Sequence, residues 1–284
     1  MKFFSLITLL LSINCFAGSP VWKVSNDTHS LYIGGTMHLL TAEDFPLPEV
    51  FDKAYAEADV LMFETDMDKM SSPAFQQQFM TALTYQDSTT LRDVLQPETM
   101  AAIEAHLRQR NLPLTNFIKF KPSLLGIMLS VIEMQSMGLN MAGVDEYYNK
   151  LAAVEHKPRL HLESVEQQIA FLANLADGQE DRYMMYSLEE IKAIHEELGE
   201  LLLAWRTGDY QKMDQDIIVP MKKDFPSIYQ SLILKRNLAW LPQIEKALST
   251  DETEFMLVGA LHLVGQQGVL QQLKDLGYRL EAIK

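Results

Sequence analysis

Tyr32-Ile33-Gly34-Gly35-Thr36-Met37-His38-Leu39-Leu40 and Met256-Leu257-Val258-Gly259-Ala260-Leu261-His262-Leu263-Val264 repeat one pattern near opposite ends of the sequence. Aligned on the histidines, each reads as an apolar strand, a glycine, two residues, a histidine and two aliphatic residues. Gly35 matches Gly259. Glycine at a strand end lets the backbone turn tightly or approach a bound group. A histidine just beyond the strand points into the crevice where open α/β sheets take their ligands. Two neutral imidazoles from neighbouring strands, joined by a carboxylate, make an open metal site.

Glu64 offers that carboxylate. Val60-Leu61-Met62-Phe63 is wholly apolar, as a strand covered on both faces reads, and Glu64 follows it directly. Asp66 falls on the same side by alternation. Helical spacing of Val50, Phe51, Ala54, Tyr55 and Ala58 leads into this strand, which makes an α/β layer. Upstream, residues 21–24 and 31–33 are β-type runs around Ser25-Asn26-Asp27-Thr28 and predict a hairpin. Downstream, residues 255–258 predict a strand, 266–276 a helix and 278–283 a last strand.

The middle reads as helices over 73–83, 97–109, 121–136, 146–154, 164–176, 187–206, 209–217 and 222–248, punctuated by Pro97, Pro113, Pro122 and Pro158. Ser164 and Gln167 form a capping-box pattern. Residues 159–162 are a β-type break. His106 and His195 are expected on helix surfaces. The expected fold class is therefore α/β (α+β). A small core sheet from two halves, about 18–66 and 250–284, is flanked by helices and encloses a helical insertion over about 67–249.

The 284 residues are 48% hydrophobic and 22% charged, enough for a substantial core and unlike a disordered chain. With 38 Asp+Glu against 24 Lys+Arg the net charge is −14, which disfavours nucleic acid and anionic membrane surfaces as partners. Residues 1–17 carry Lys2, an apolar run and small residues at Cys15 and Ala17. This reads as a secretory signal cleaved after Ala17, with the periplasm or the extracellular space as destination. Lipid attachment at Cys15 is the alternative, though Ser12-Ile13-Asn14 fits it poorly. Cys15 is the one cysteine, so the mature chain would have no disulfide, thiolate nucleophile or Cys-ligated zinc. No later run reaches about 18 apolar residues, so no membrane span is expected.

The chain resembles the TraB/GumN family within the Tiki-like superfamily. The resemblance rests on Trp22-Lys23-Val24, Gly34-Gly35-Thr36-Met37-His38, Phe63-Glu64-Thr65-Asp66, Gly143-Val144-Asp145, Leu162-Glu163-Ser164 with Glu166-Gln167, Arg236-Asn237 with Trp240, and the run from Val258 to Gly265. It implies a core sheet flanked by helices. Tiki proteins are metal-dependent proteases that use both Gly-x-x-His motifs and an acidic residue; the matching positions here are His38, His262 and Glu64. Arg236 and Asn237 match a polar pair that the superfamily places near the site.

These residues then take roles. A divalent ion would sit between His38 and His262, with Glu64 as ligand or as general base. Zinc, manganese, cobalt and iron(II) all suit such a donor set. Arg236 would hold a developing oxyanion or a substrate carboxylate; its bland alternative is a helix-surface arginine. Gly35, Gly259, Asp145 and Glu163 are the candidate substrate-binding positions, against a turn residue for Asp145 and a helix N-terminal acid for Glu163. No His-Glu-x-x-His, Gly-x-Ser-x-Gly or Gly-x-x-x-x-Gly-Lys-[Ser/Thr] pattern occurs, which disfavours zincins, α/β-hydrolases and P-loop NTPases. The expected function is an exported, peptidase-like metal-dependent hydrolase acting on a peptide or small molecule. The alternative is a non-catalytic periplasmic protein that binds metal, haem or a peptide signal in the same cleft.

Overall fold

The structure, a computed structural model, describes residues 18–284; the segment expected to be a signal, with Cys15, lies outside the described residues. Strands run β1 Val21–Ser25, β2 Ser30–Thr36, β3 Leu39–Leu40, β4 Val60–Phe63, β5 Met141–Ala142, β6 Arg159–His161, β7 Glu254–Gly259 and β8 Arg279–Ala282. Six of these form a mixed sheet in the order β6-β4-β7-β2-β1-β8. β6, β4, β7 and β2 are parallel. β1 and β8 close one side antiparallel.

The predicted hairpin joins β1 to β2. Asn26 Oδ1 accepts from the backbone N–H of Thr28 at 2.9 Å and of His29 at 2.8 Å, the side-chain turn that asparagine favours. The apolar strands are continuous because both sheet faces are covered. Phe255 and Leu257 of β7 join Phe51, Tyr148 and Trp205 in one core. Met256 and Val258 join Trp240, Ile244 and Leu273 in the core on the opposite face.

Helices Pro73–Leu83 and Pro97–Gln109 fall where the spacing puts them, each with its proline in the first turn, where no N–H is needed. The insertion packs a third core, with Ile103, Leu125, Leu129 and Met184. It also carries two short strands, and the β-type break read over 159–162 is one of them, β6. β6 joins the main sheet beside β4, and β5 pairs with β3. The helix expected over 187–206 starts earlier, at Glu180–Thr207, with Glu180 and Asp181 in a first turn that favours negative charge. The helix expected over 222–248 is broken, with a π-turn at Gln230–Leu234 directly before helix Lys235–Ala247. Such turns insert a residue, rotate the downstream helix about its axis and often lie at functional positions. Among the described residues no helix is long and apolar enough to cross a membrane.

Candidate functional site

Because β6, β4, β7 and β2 run parallel side by side, their C-terminal ends lie in one row. Each end delivers one polar side chain: Glu163 beyond β6, Glu64 beyond β4, His262 beyond β7 and His38 beyond β2. Neighbouring ends are tied, with the Glu163 N–H donating to the Glu64 carbonyl at 2.8 Å. The row is the carboxyl-end crevice of an open α/β sheet.

Gly259 marks where they meet. A Cβ placed there would stand 3.3 Å from Glu64 Oε1, 3.6 Å from His262 Cδ2 and 3.9 Å from His38 Nε2. Any other residue at 259 would fill this cradle. The glycine N–H also donates to Glu64 Oε1 at 2.6 Å, which fixes the carboxylate.

Arg236 enters from helix Lys235–Ala247. Its Nε donates to Glu163 Oε1 at 2.8 Å and its Nη2 to Glu163 Oε2 at 3.0 Å, a two-pronged pairing. Nη2 also reaches Glu64 Oε2 at 2.5 Å, and Nη1 lies 3.0 Å from His262 Nε2. The guanidinium lies 4.9 Å from the Trp240 ring centroid, one helical turn on, and Trp240 Nε1 donates to Glu163 Oε1 at 2.9 Å. With its side chain only 13% exposed, Arg236 is not the surface residue of the bland reading.

Both imidazoles are held from behind. His262 Nδ1 lies 2.6 Å from Asn237 Oδ1, while Asn237 Nδ2 donates to the carbonyls of His262 and Gln267. This network assigns the proton to Nδ1 and leaves the Nε2 lone pair for Arg236. Burial disfavours the charged ring and pushes His262 down to about 3. His38 Nδ1 lies 2.8 Å from Asp145 Oδ2. Asp145 draws its pKa up to about 9, a pull that solvent screens in part because the ring is 65% exposed. Burial alone would raise Glu64, but Arg236, followed by His262 and His38, holds it at about 2.

Gly143 brings Asp145 to His38. The Val144 N–H donates to Met37 O at 3.1 Å, and a Cβ on Gly143 would stand 2.1 Å from that oxygen. Only glycine permits this crossing. In front of Glu64 and His38 opens a cavity of about 550 Å³, walled by the segment after Glu64 and by helix Val144–Val154. Thr36 and Thr65 line it, and among the described residues their buried hydroxyls have no partner. Sequence reading missed both, since a threonine after a strand carries no signal of its own.

The expected positions fall as follows. Asp145 lines the cavity and pairs with His38, while Glu163 holds Arg236 and Asn237 holds His262. Gly35 is buried among helices, its carbonyl accepting from Trp205 Nε1 at 2.7 Å, and a Cβ there would meet Tyr210 Oη at 2.8 Å. Asp66 caps the short helix Met67–Met70. His195 is an exposed helix residue as expected, paired with Glu133; His106 is half-buried.

Among the described residues no group of three His, Cys, Asp or Glu side chains is arranged to hold a metal ion. The reason is local: the Nε2 of His262 and the Oε2 of Glu64 face Arg236. The donor chemistry nevertheless fits a cation. Both rings present Nε2 with Nδ1 held from behind, as metal-binding histidines do. Two carboxylates, Glu64 and Glu163, share the single guanidinium of Arg236, and a third, Asp145, holds the His38 ring.

The fold and this row of strand ends define an α/β protein with a polar centre drawn from both halves of its sequence. The chain belongs to the TraB/PrgY/gumN family, which it matches over residues 20–282. It is similar to the uncharacterized protein YbaP of Escherichia coli strain K12, with 26% identity over 245 residues, 84% of this chain and 86% of that protein. It is likewise similar to YbaP of Shigella flexneri, with 27% identity over 251 residues, 87% and 88% of the two chains. No solved structure matches.

Proposed function

We propose that the chain is an exported metal-dependent hydrolase acting on peptide-type bonds. The observation that carries this reading is the convergence of His38, Glu64 and His262 on the empty cradle at Gly259. In this reading the Nε2 atoms of both histidines and the Glu64 carboxylate hold one divalent ion: zinc, manganese, cobalt or iron(II). Such an ion supplies a water of near-neutral pKa and a polarised carbonyl.

The chain's own residues do the rest. Asp145 and Asn237 orient the rings. The Gly259 N–H fixes Glu64. Arg236, held charged by Glu64 and Glu163 against the cost of burial, would be a donor for negative charge developing on a substrate. The cavity before His38 gives room for the flanks of a peptide or small molecule.

The test is metal content and turnover of the purified chain beside the double variant His38→Ala/His262→Ala. Bound metal and peptide cleavage, both lost in the variant with the fold intact, support the proposal. Metal without turnover on any peptide library leaves the binding-protein reading. Negligible metal in both proteins overturns the hydrolase reading.

A further inference from the structure

We propose that Arg236 is a latch that competes with the metal for His262 and Glu64, and that Glu163 is the seat onto which the guanidinium withdraws. This rests on the metal-centre reading above and concerns how that centre is controlled.

His262 offers one lone pair toward the site, on Nε2, and Arg236 Nη1 occupies it at 3.0 Å. The ring cannot turn to offer its other nitrogen, because Nδ1 is bound to Asn237 Oδ1 and that amide is anchored at its other end by two carbonyls. Nη2 covers Glu64 Oε2 at the same time. A metal that uses these atoms must therefore displace the arginine. A histidine lone pair serves one partner at a time.

The displaced group has somewhere to go. The Nε and Nη2 edge of the guanidinium already pairs with both oxygens of Glu163. That contact uses neither Nη1 nor Glu64, so it survives when the other two are given up. Trp240 steadies the seat, holding Glu163 Oε1 through its N–H and stacking near the guanidinium face; Phe171 lies 5.4 Å away on the same group. The same arginine would thus keep the centre charge-balanced when empty and stay paired when it is loaded. Apparent affinity falls by the fraction of molecules in which the latch is open, so a latch closed in about nine-tenths of molecules weakens binding about tenfold.

The experiment titrates cobalt(II) into metal-free full-length chain and follows binding by absorbance and calorimetry. Arg236→Lys keeps the charge but gives up the planar fork that spans His262, Glu64 and Glu163 at once. It should bind cobalt about tenfold more tightly than the wild type. Glu163→Gln removes the seat's charge and should bind more weakly. Nitrogen NMR of His262 in the metal-free proteins supplies a second readout: its Nε2 resonance should move in Arg236→Lys. Affinity and resonance both unchanged in Arg236→Lys, with the wild type binding cobalt, overturn the latch and leave the metal centre standing. No cobalt binding by the wild type, as in His38→Ala/His262→Ala, overturns the centre itself.

Discussion

Asn237 grips His262 at two points, accepting at Oδ1 from Nδ1 at 2.6 Å and donating from Nδ2 to the histidine's own carbonyl at 3.1 Å. One fully buried amide therefore sets both the orientation and the tautomer of the ring.

Asn237→Ala should cost about 2 kcal/mol or more, because it leaves the His262 N–H and two carbonyls buried without a partner. Urea unfolding measures this. Metal affinity should fall in the same variant by about tenfold or more, as with other supports of ligating histidines. A variant as stable as the wild type would contradict this account of the amide.

Glu64→Gln should lose metal and turnover together, with turnover falling about a hundredfold or more. Elemental analysis beside a peptide-cleavage assay checks it. Metal retained at full occupancy with turnover lost would make Glu64 the base and not a ligand.

Gly143→Ala places a methyl group 2.1 Å from the Met37 carbonyl oxygen. The strands β3 and β5 must part, and Asp145 must leave His38. A loss of about 2 kcal/mol or more is expected, the range for a steric conflict within a packed region. Thermal unfolding and the His38 titration by NMR both report it.

The pairing of His38 with Asp145 has a pH signature in the metal-free chain. The folded pKa of His38, about 9, lies above its ordinary value of 6.5, so the folded state binds the proton more tightly. The resulting stability is present in full below pH 6.5 and is lost as pH rises toward 9. The stability gap between wild type and Asp145→Asn should therefore be widest in mild acid and close across that interval. Denaturant titrations at pH 6, 7.5 and 9 would show it; a gap that stays constant would refute the assignment.

The parts legible in the sequence were those with local causes. β4 and β7 show as unbroken apolar runs because both faces are covered, and helices Pro73–Leu83 and Pro97–Gln109 announce themselves by a proline in the first turn. The two Gly-x-x-His elements and Glu64 are readable for the same reason, each standing just past a strand. What was hidden depends on tertiary contact. The β-type run at 159–162 was readable, but its place beside β4, which makes β6 part of the row, was not. The π-turn at Gln230–Leu234 has no residue signature, yet it precedes Arg236. Glu133, buried in mid-helix with Arg110 and His195, reads in the sequence as one more solvated acid. Nor could spacing reveal that the guanidinium lies on the very atoms expected to ligate a metal.

The four polar groups of the centre stand just past the ends of four separate strands, and no two of them are close in the sequence. A chain missing any one strand pairing lacks the centre altogether. The centre therefore assembles only where the sheet joins both ends of the sequence, with β2 and β7 side by side.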